Sequence, residues 1–166
     1  MDMRLSKNIF SNLLDELEKT PLVNEQEWQE RISFTDAFRR IIELNEFSDT
    51  TTVHYSFRNN NLNKILTEIS KRDIKDALTL HTVEAYPPQS TIEHIDKASQ
   101  LTLNILLEDN FEGGYIYING EKINGLRERG DYLMYNGSKE PHSVTPVIRG
   151  KRKSLIVWYG KQKGLF

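Results

Sequence analysis

The chain has 166 residues, a formal net charge of −2 with acids and bases mixed along its length, and no cysteine. That length supports one hydrophobic core rather than two, so a single domain over residues 1–166 is expected. The balanced charge gives no electrostatic reason to expect nucleic acid or an anionic membrane as partner, and the missing cysteine removes disulfides, thiolate metal sites and cysteine nucleophiles. No stretch approaches the roughly 18 apolar residues of a membrane span. The first twenty residues carry acids throughout and do not read as a secretory signal. A cytoplasmic protein is expected, with the oligomeric state left open. Any histidine chemistry must come from His54, His81, His94 and His142.

Residues 1–75 read as a helical support region. Phe10, Leu13, Leu14 and Leu17 recur at helical spacing, and Pro21 ends that element. A second helix is predicted from Thr35-Asp36, with Ala37, Phe38, Ile41 and Ile42 on one side. A strand-like run follows over 51–57, and Leu62, Ile65, Leu66 and Ile69 then mark a third amphipathic helix.

From residue 76 the pattern changes to period two. Strands are predicted at 76–86, 91–96, 101–107, 114–119, 121–127, 130–135, 142–148 and 152–160, broken by Pro87-Pro88, the segment 110–114, Asn119-Gly120, Asn136-Gly137 and Arg149-Gly150. Eight short strands with such turns predict a mainly β, α+β architecture. It has a double-stranded β-helix (jelly-roll, cupin-like) core over 76–166 and N-terminal helices covering one sheet. The basic cluster Arg149, Lys151, Arg152 and Lys153 reads as a solvated turn.

The chemistry-bearing pattern is His94-Ile95-Asp96 in a strand-like stretch. Residues two apart on a strand share a face, so an imidazole and a carboxylate project side by side. A second imidazole from a facing strand would complete two histidines and one carboxylate, a ligand set that leaves positions open and suits Fe(II). His142 is the best candidate third ligand, since it begins a strand-like run after the Asn136-Gly137 turn. His-x-Asp alone is a common spacing, and its meaning comes from the surrounding residues.

Arg152 lies ten residues beyond His142 and shares a strand face with Ser154, Ile156 and Trp158. A guanidinium on the inner face of an apolar strand needs an anion, and a dicarboxylate would supply one; the other reading puts it at the strand's exposed start, facing water. In 101–107, Leu101, Leu103, Ile105 and Leu107 form a core face. Asn104 lies on the other face, where it meets either a pocket ligand or a backbone group. Residues 110–114 (NFEGG) read as a tight turn, and His54 and His81 read as structural.

Taken in order, AYPP (85–88), HID (94–96), LTLNILL (101–107), FEGG (111–114), GDYLMY (130–135) and PHSVTPVIRGKRKSLIVWY (141–159) resemble the catalytic core of the prolyl 4-hydroxylase-like 2-oxoglutarate/Fe(II) oxygenases. The resemblance covers residues 85–159. It implies a jelly-roll barrel with Fe(II) on His94, Asp96 and His142, and with Arg152 on the distal carboxylate of 2-oxoglutarate. It also implies Tyr86 as a pocket tyrosine and Trp158 near the pocket floor. The family's tyrosine in the strand after His-x-Asp falls near Leu106 here, so Tyr86 or Asn104 takes its place in holding the co-substrate. The implied reaction couples oxidative decarboxylation of 2-oxoglutarate to hydroxylation of an unactivated C–H, with ascorbate as a possible helper. The expected substrate is proline in a peptide or protein; a free amino acid or other small molecule is the alternative. A jelly-roll binding module without turnover is the competing class. A three-histidine cupin site would require a second histidine where Asp96 stands.

Overall fold

The computed structural model describes residues 3–24, 26–28, 51–56, 60–72 and 77–160. The helix expected from Thr35 lies outside the described residues. The described helices are α1 (Lys7–Lys19) and α2 (Asn60–Ser70). Ser6 caps α1 by accepting the Ile9 N–H at 3.2 Å, and Thr20 closes it by donating to the Glu16 carbonyl at 2.6 Å, just before Pro21. Both helices turn their leucines inward: Leu13 and Leu17 of α1, and Leu62, Leu66 and Ile69 of α2, are buried.

The strands in chain order are β1 (Met3–Arg4), β2 (Leu22–Val23), β3 (Thr51–Ser56), β4 (Ala77–Ala85), β5 (Thr91–His94), β6 (Leu101–Glu108), β7 (Phe111–Gly113), β8 (Ile116–Ile118), β9 (Glu121–Lys122), β10 (Asp131–Tyr135), β11 (His142–Val144), β12 (Val147–Gly150) and β13 (Arg152–Tyr159). They form a seven-stranded sheet in the order β1-β10-β6-β13-β4-β3-β2, a four-stranded sheet β5-β11-β8-β9 and a small β12-β7 pair. All the pairings are antiparallel. This is the mainly β double-stranded β-helix expected from the period-two pattern. The segment before residue 76 does more than cover the large sheet, because β1, β2 and β3 join it at both edges.

One face of the large sheet presents Leu80, Leu103, Ile105, Leu107, Leu155 and Val157 to the helices, and all six are buried. Each fully buried aliphatic side chain contributes about 1.5–3 kcal/mol. The opposite face carries His81, Asn104, Arg152, Ile156 and Trp158, which line a cavity between the two larger sheets. In register, Ile156 sits between His81 on β4 and Asn104 on β6, and Trp158 between Thr79 and Thr102.

Three expectations need correction. Phe111 to Gly113 is not a turn but strand β7, paired with β12. The run 142–148 does not stay in one sheet: it divides at Thr145-Pro146 into β11 of the four-stranded sheet and β12 of the small pair. Proline offers no N–H to continue a ladder, and Gly113 (φ 79°) lets the Pro146 carbonyl approach to where a Cβ would be only 2.2 Å away. The strand expected over 121–127 ends at Lys122. Beyond it, the N–H groups of Arg127 and Glu128 donate to Asp131 Oδ2 at 3.1 and 3.0 Å, so a carboxylate replaces the ladder as acceptor. Asn119-Gly120 behaves as expected: both residues have positive φ, and the β8–β9 hairpin closes over them.

Candidate metal centre

β5 and β11 pair so that His94 stands directly opposite His142, and the two imidazole centroids lie 4.4 Å apart. Asp96 follows just beyond the end of β5. Its N–H donates to the Gly137 carbonyl at 2.8 Å, which fixes the backbone where the carboxylate leaves it. Gly137 is required at that point, since a Cβ there would meet Thr102 Oγ1 at 2.8 Å. The Asp96 carboxylate lies 3.4 Å from His94 Nε2 and 3.0 Å from His142 Nε2. Ligand atoms of all three residues lie within 4.8 Å of one another, the one such His/Asp/Glu group among the described residues.

The hydrogen bonds on the far side of each ring test whether this group suits a cation. Nδ1 of His94 is 2.7 Å from the Ile92 carbonyl, and Nδ1 of His142 is 2.8 Å from the Glu140 carbonyl. A carbonyl only accepts, so each Nδ1 carries its proton, and each neutral ring then turns an Nε2 lone pair toward Asp96. Two lone pairs facing a carboxylate are unfavourable unless a ring takes a second proton or a cation sits among them. Backbone carbonyls that fix Nδ1–H in this way are the usual outer support of metal-binding histidines. The donor set therefore fits a divalent metal with open coordination positions.

The local electrostatics agree. Burial would raise the Asp96 pKa, but the two imidazoles facing it, each able to take a proton on Nε2 when no cation is present, outweigh burial and hold the carboxyl at about 2. The Asp96 contact raises the His94 pKa against the effect of burial. The trio keeps a full negative charge on its one carboxylate across the physiological range.

The three residues stand at one end of a cavity of about 110 Å³ whose wall includes His81, Asn104, Tyr135, Arg152, Ile156 and Trp158. Two larger clefts, of about 530 and 500 Å³, lie elsewhere on the surface and lack a comparable donor set. Burial lowers the Arg152 pKa to about 10, and its one hydrogen bond to protein among the described residues is a long 3.5 Å donation from Nη1 to the Gly114 carbonyl. Its sequence neighbours face away. Lys151 lies 3.2 Å from Glu108 and 3.8 Å from Glu84, and Lys153 lies 3.6 Å from Glu84. Arg152 is therefore a desolvated cation aimed into a cavity, while Lys151 is engaged outside it.

The structure brings together His94, Asp96 and His142, and it sets Arg152, Asn104 and Trp158 in the wall of the same cavity. It does not bring Tyr86 there: that side chain is exposed and its hydroxyl donates to Glu84 at 2.9 Å. The cavity's tyrosine is Tyr135, whose ring lies 4.9 Å from that of His142 and whose phenol is held neutral by burial. His81, read as structural, lines the same cavity. Its ring is edge-on to Trp158 at 5.6 Å, and its parity on β4 matches that of Val83, another wall residue. That parity was available from the sequence once the strand was phased; Tyr135 carried no distinguishing signal within its run.

No protein-family model matches the chain. Among curated proteins, 97 residues are 28% identical to the tyrosine–tRNA ligase of Streptococcus thermophilus, covering 57% of this chain and 22% of that enzyme. The chain thus spans about a fifth of the length of the curated relatives it matches. Among solved structures, it superposes on a prolyl hydroxylase of Trichoplax adhaerens in complex with a hypoxia-inducible-factor peptide fragment (TM-score 0.61, 14% identity, 98% of this chain and 82% of that one). It also superposes on a viral collagen prolyl hydroxylase of Paramecium Bursaria Chlorella virus-1 (0.59, 13%, 95% and 92%) and on a Pseudomonas putida prolyl-4-hydroxylase (0.56, 16%, 98% and 91%). At such identities the likeness establishes the fold, a double-stranded β-helix shared with these hydroxylases over nearly the whole chain.

Proposed function

We propose that the chain is a non-haem Fe(II)- and 2-oxoglutarate-dependent dioxygenase, with His94, Asp96 and His142 as metal ligands and Arg152 as the anchor of the co-substrate's distal carboxylate. One observation carries this reading: a single small cavity holds two unmet needs. Two imidazole lone pairs and a carboxylate face each other in its wall, and the same wall holds a largely desolvated guanidinium that has no carboxylate partner among the described residues. A metal answers the first and a small dicarboxylate the second.

Bound there, Fe(II) would supply the dioxygen activation by which 2-oxoglutarate, O2 and a C–H substrate become succinate, CO2 and an alcohol. The chain's own residues position and exclude. The Ile92 and Glu140 carbonyls orient the two imidazoles, Gly137 fixes the backbone of Asp96, and Trp158 and Ile156 wall the cavity against water. Ascorbate fits this chemistry as the reductant that keeps the metal ferrous.

A cavity of about 110 Å³ is on the scale of a small molecule such as a dicarboxylate. The substrate would then meet the site from the solvent side, at His94, the most exposed of the three ligands. Ile92 and Ile95 flank it, 84% and 42% exposed. That arrangement favours a peptide segment laid across the surface over a free amino acid, and a prolyl peptide is the first substrate to test.

The test is succinate formation from 2-oxoglutarate with Fe(II), ascorbate and a panel of proline peptides and free amino acids. Peptide-dependent turnover that His94→Ala abolishes is the expected result. Full 2-oxoglutarate consumption by His94→Ala would remove the iron assignment. An iron-loaded wild type that turns over nothing would point to a binding module.

A further inference from the structure

The two edges of the four-stranded sheet are built differently. At one edge, β9 carries only Glu121 and Lys122, both exposed and charged, which discourages another chain from pairing there. At the other edge, β5 and the residue after it run from Thr91 to Ile95 with no proline or lysine, and Ile92 and Ile95 are 84% and 42% exposed. An open edge of this kind is a template for an added strand. It lies beside the metal centre, because His94 and Asp96 flank Ile95.

Backbone direction along this edge defines what can pair with it. In an extended chain, successive residues turn their N–H and carbonyl groups to alternate sides. The Asp96 N–H donates inward to the Gly137 carbonyl, and His94 is paired with His142 on β11. Ile95, between them, turns its N–H and carbonyl away from β11, and neither has a hydrogen-bond partner among the described residues. A strand added in antiparallel sense would place one residue opposite Ile95, exchanging two backbone hydrogen bonds, and the next residue opposite His94. That next residue needs no N–H toward β5. Its side chain falls on the face that His94 presents to the cavity, with the two Cα atoms about 4.5 Å apart. Proline has no N–H to give, and it also holds the residue before it in an extended conformation.

We propose that the substrate peptide binds as a strand added antiparallel to β5, with the residue before the target proline bonded to the Ile95 backbone and the proline opposite His94. This inference rests on the reading of the chain as an oxygenase of prolyl peptides and adds how the peptide is held. Main-chain hydrogen bonds set the register, so recognition tolerates varied sequences around the proline. The exposed Ile95 side chain lies across from the side chain of the residue before proline and favours an apolar residue there.

The experiment measures binding of fluorescently labelled prolyl peptides to the protein loaded with Fe(II) and 2-oxoglutarate under nitrogen, by anisotropy, and succinate release in air. Replacing the amide by an ester at the residue before proline removes the N–H that the Ile95 carbonyl would accept, and is expected to raise the dissociation constant about three- to tenfold. The same replacement one residue earlier, where the N–H turns away from β5, should change it by less than about twofold. Ile95→Ser should weaken peptides with Leu before proline about three- to fivefold and leave those with Gly there nearly unchanged. Should a peptide bind and be hydroxylated while the two esters act equally, or not at all, strand addition is overturned and the oxygenase reading stands. Succinate release driven only by free amino acids overturns strand addition and the peptide substrate together. A wild type that binds no prolyl peptide also overturns the proposal, and a dimer that Ile95→Ser dissociates would then assign the edge to a second copy of the chain. An iron-loaded protein that consumes no 2-oxoglutarate with any substrate removes the reading on which the proposal rests.

Discussion

The two faces of β13 are built from the same eight residues and follow different rules. Leu155 and Val157 point to α1 and α2 and are fully buried among other apolar side chains, with the Tyr159 hydroxyl at the strand's end the polar exception on that face. Arg152, Ile156 and Trp158 point the other way, into a cavity that also holds His81, Asn104 and Tyr135. On the helix face, burial and stability go together. On the cavity face, an arginine pushed down to about 10 and an unpaired amide oxygen are tolerated at a cost. Groups that destabilise the empty protein persist where they meet a ligand, which is the reason for proposing the cavity face as the functional one.

That contrast can be broken by substitution, and the largest effect belongs to the helix face. Leu155→Ala should lower unfolding free energy by about 2–5 kcal/mol in chemical denaturation while leaving metal stoichiometry unchanged. Loss of the metal site without loss of stability would reverse the assignment of the two faces.

Next in size is a pH effect at His81. Burial lowers its pKa from 6.5 to about 4, so it stays neutral in the folded protein and gains a proton on unfolding below pH 6.5. Its contribution of about 3 kcal/mol is therefore complete above pH 6.5 and is lost as pH falls toward 4. Thermal melts across that range should show a steeper pH dependence for the wild type than for His81→Phe. Equal slopes would place His81 in contact with water.

Arg152→Met should leave the ligand-free protein as stable as the wild type or up to about 2 kcal/mol more stable, because a desolvated charge is replaced by an apolar chain of similar length. A clear loss of stability would mean that Arg152 has a structural partner. The smallest effect is expected one residue away: Lys151→Ala removes ion pairs to partly exposed Glu84 and Glu108 and should change stability by about 0.5 kcal/mol or less.

How much of this was legible in the sequence varies with the physical range of the signal. Strand phase is local, so the opposition of Leu103 and Ile105 to Asn104, and of Leu155 and Val157 to Arg152, could be read from alternation. The His94 and Asp96 pair was legible from its spacing, although β5 ends at His94 and the strand expected over 91–96 stops short of Asp96, and His142 because so few histidines exist. The sheet change at Pro146 was not, since it depends on Gly113 receiving the Pro146 carbonyl from across the fold. Nor was the early end of β9, which Asp131 brings about by capturing two N–H groups from the next loop. Tyr86 was drawn toward the pocket by its place before a proline, yet its side chain leaves on the outer face beside Glu84.

The central claim is that His94, Asp96 and His142 together hold one divalent metal. Anaerobic equilibrium dialysis against Fe(II), followed by elemental analysis, tests it most directly. One metal per chain is expected for the wild type, with affinity reduced by more than about 100-fold in Asp96→Ala and in His142→Ala at unchanged melting temperature. Undiminished metal binding in both folded variants would contradict the account.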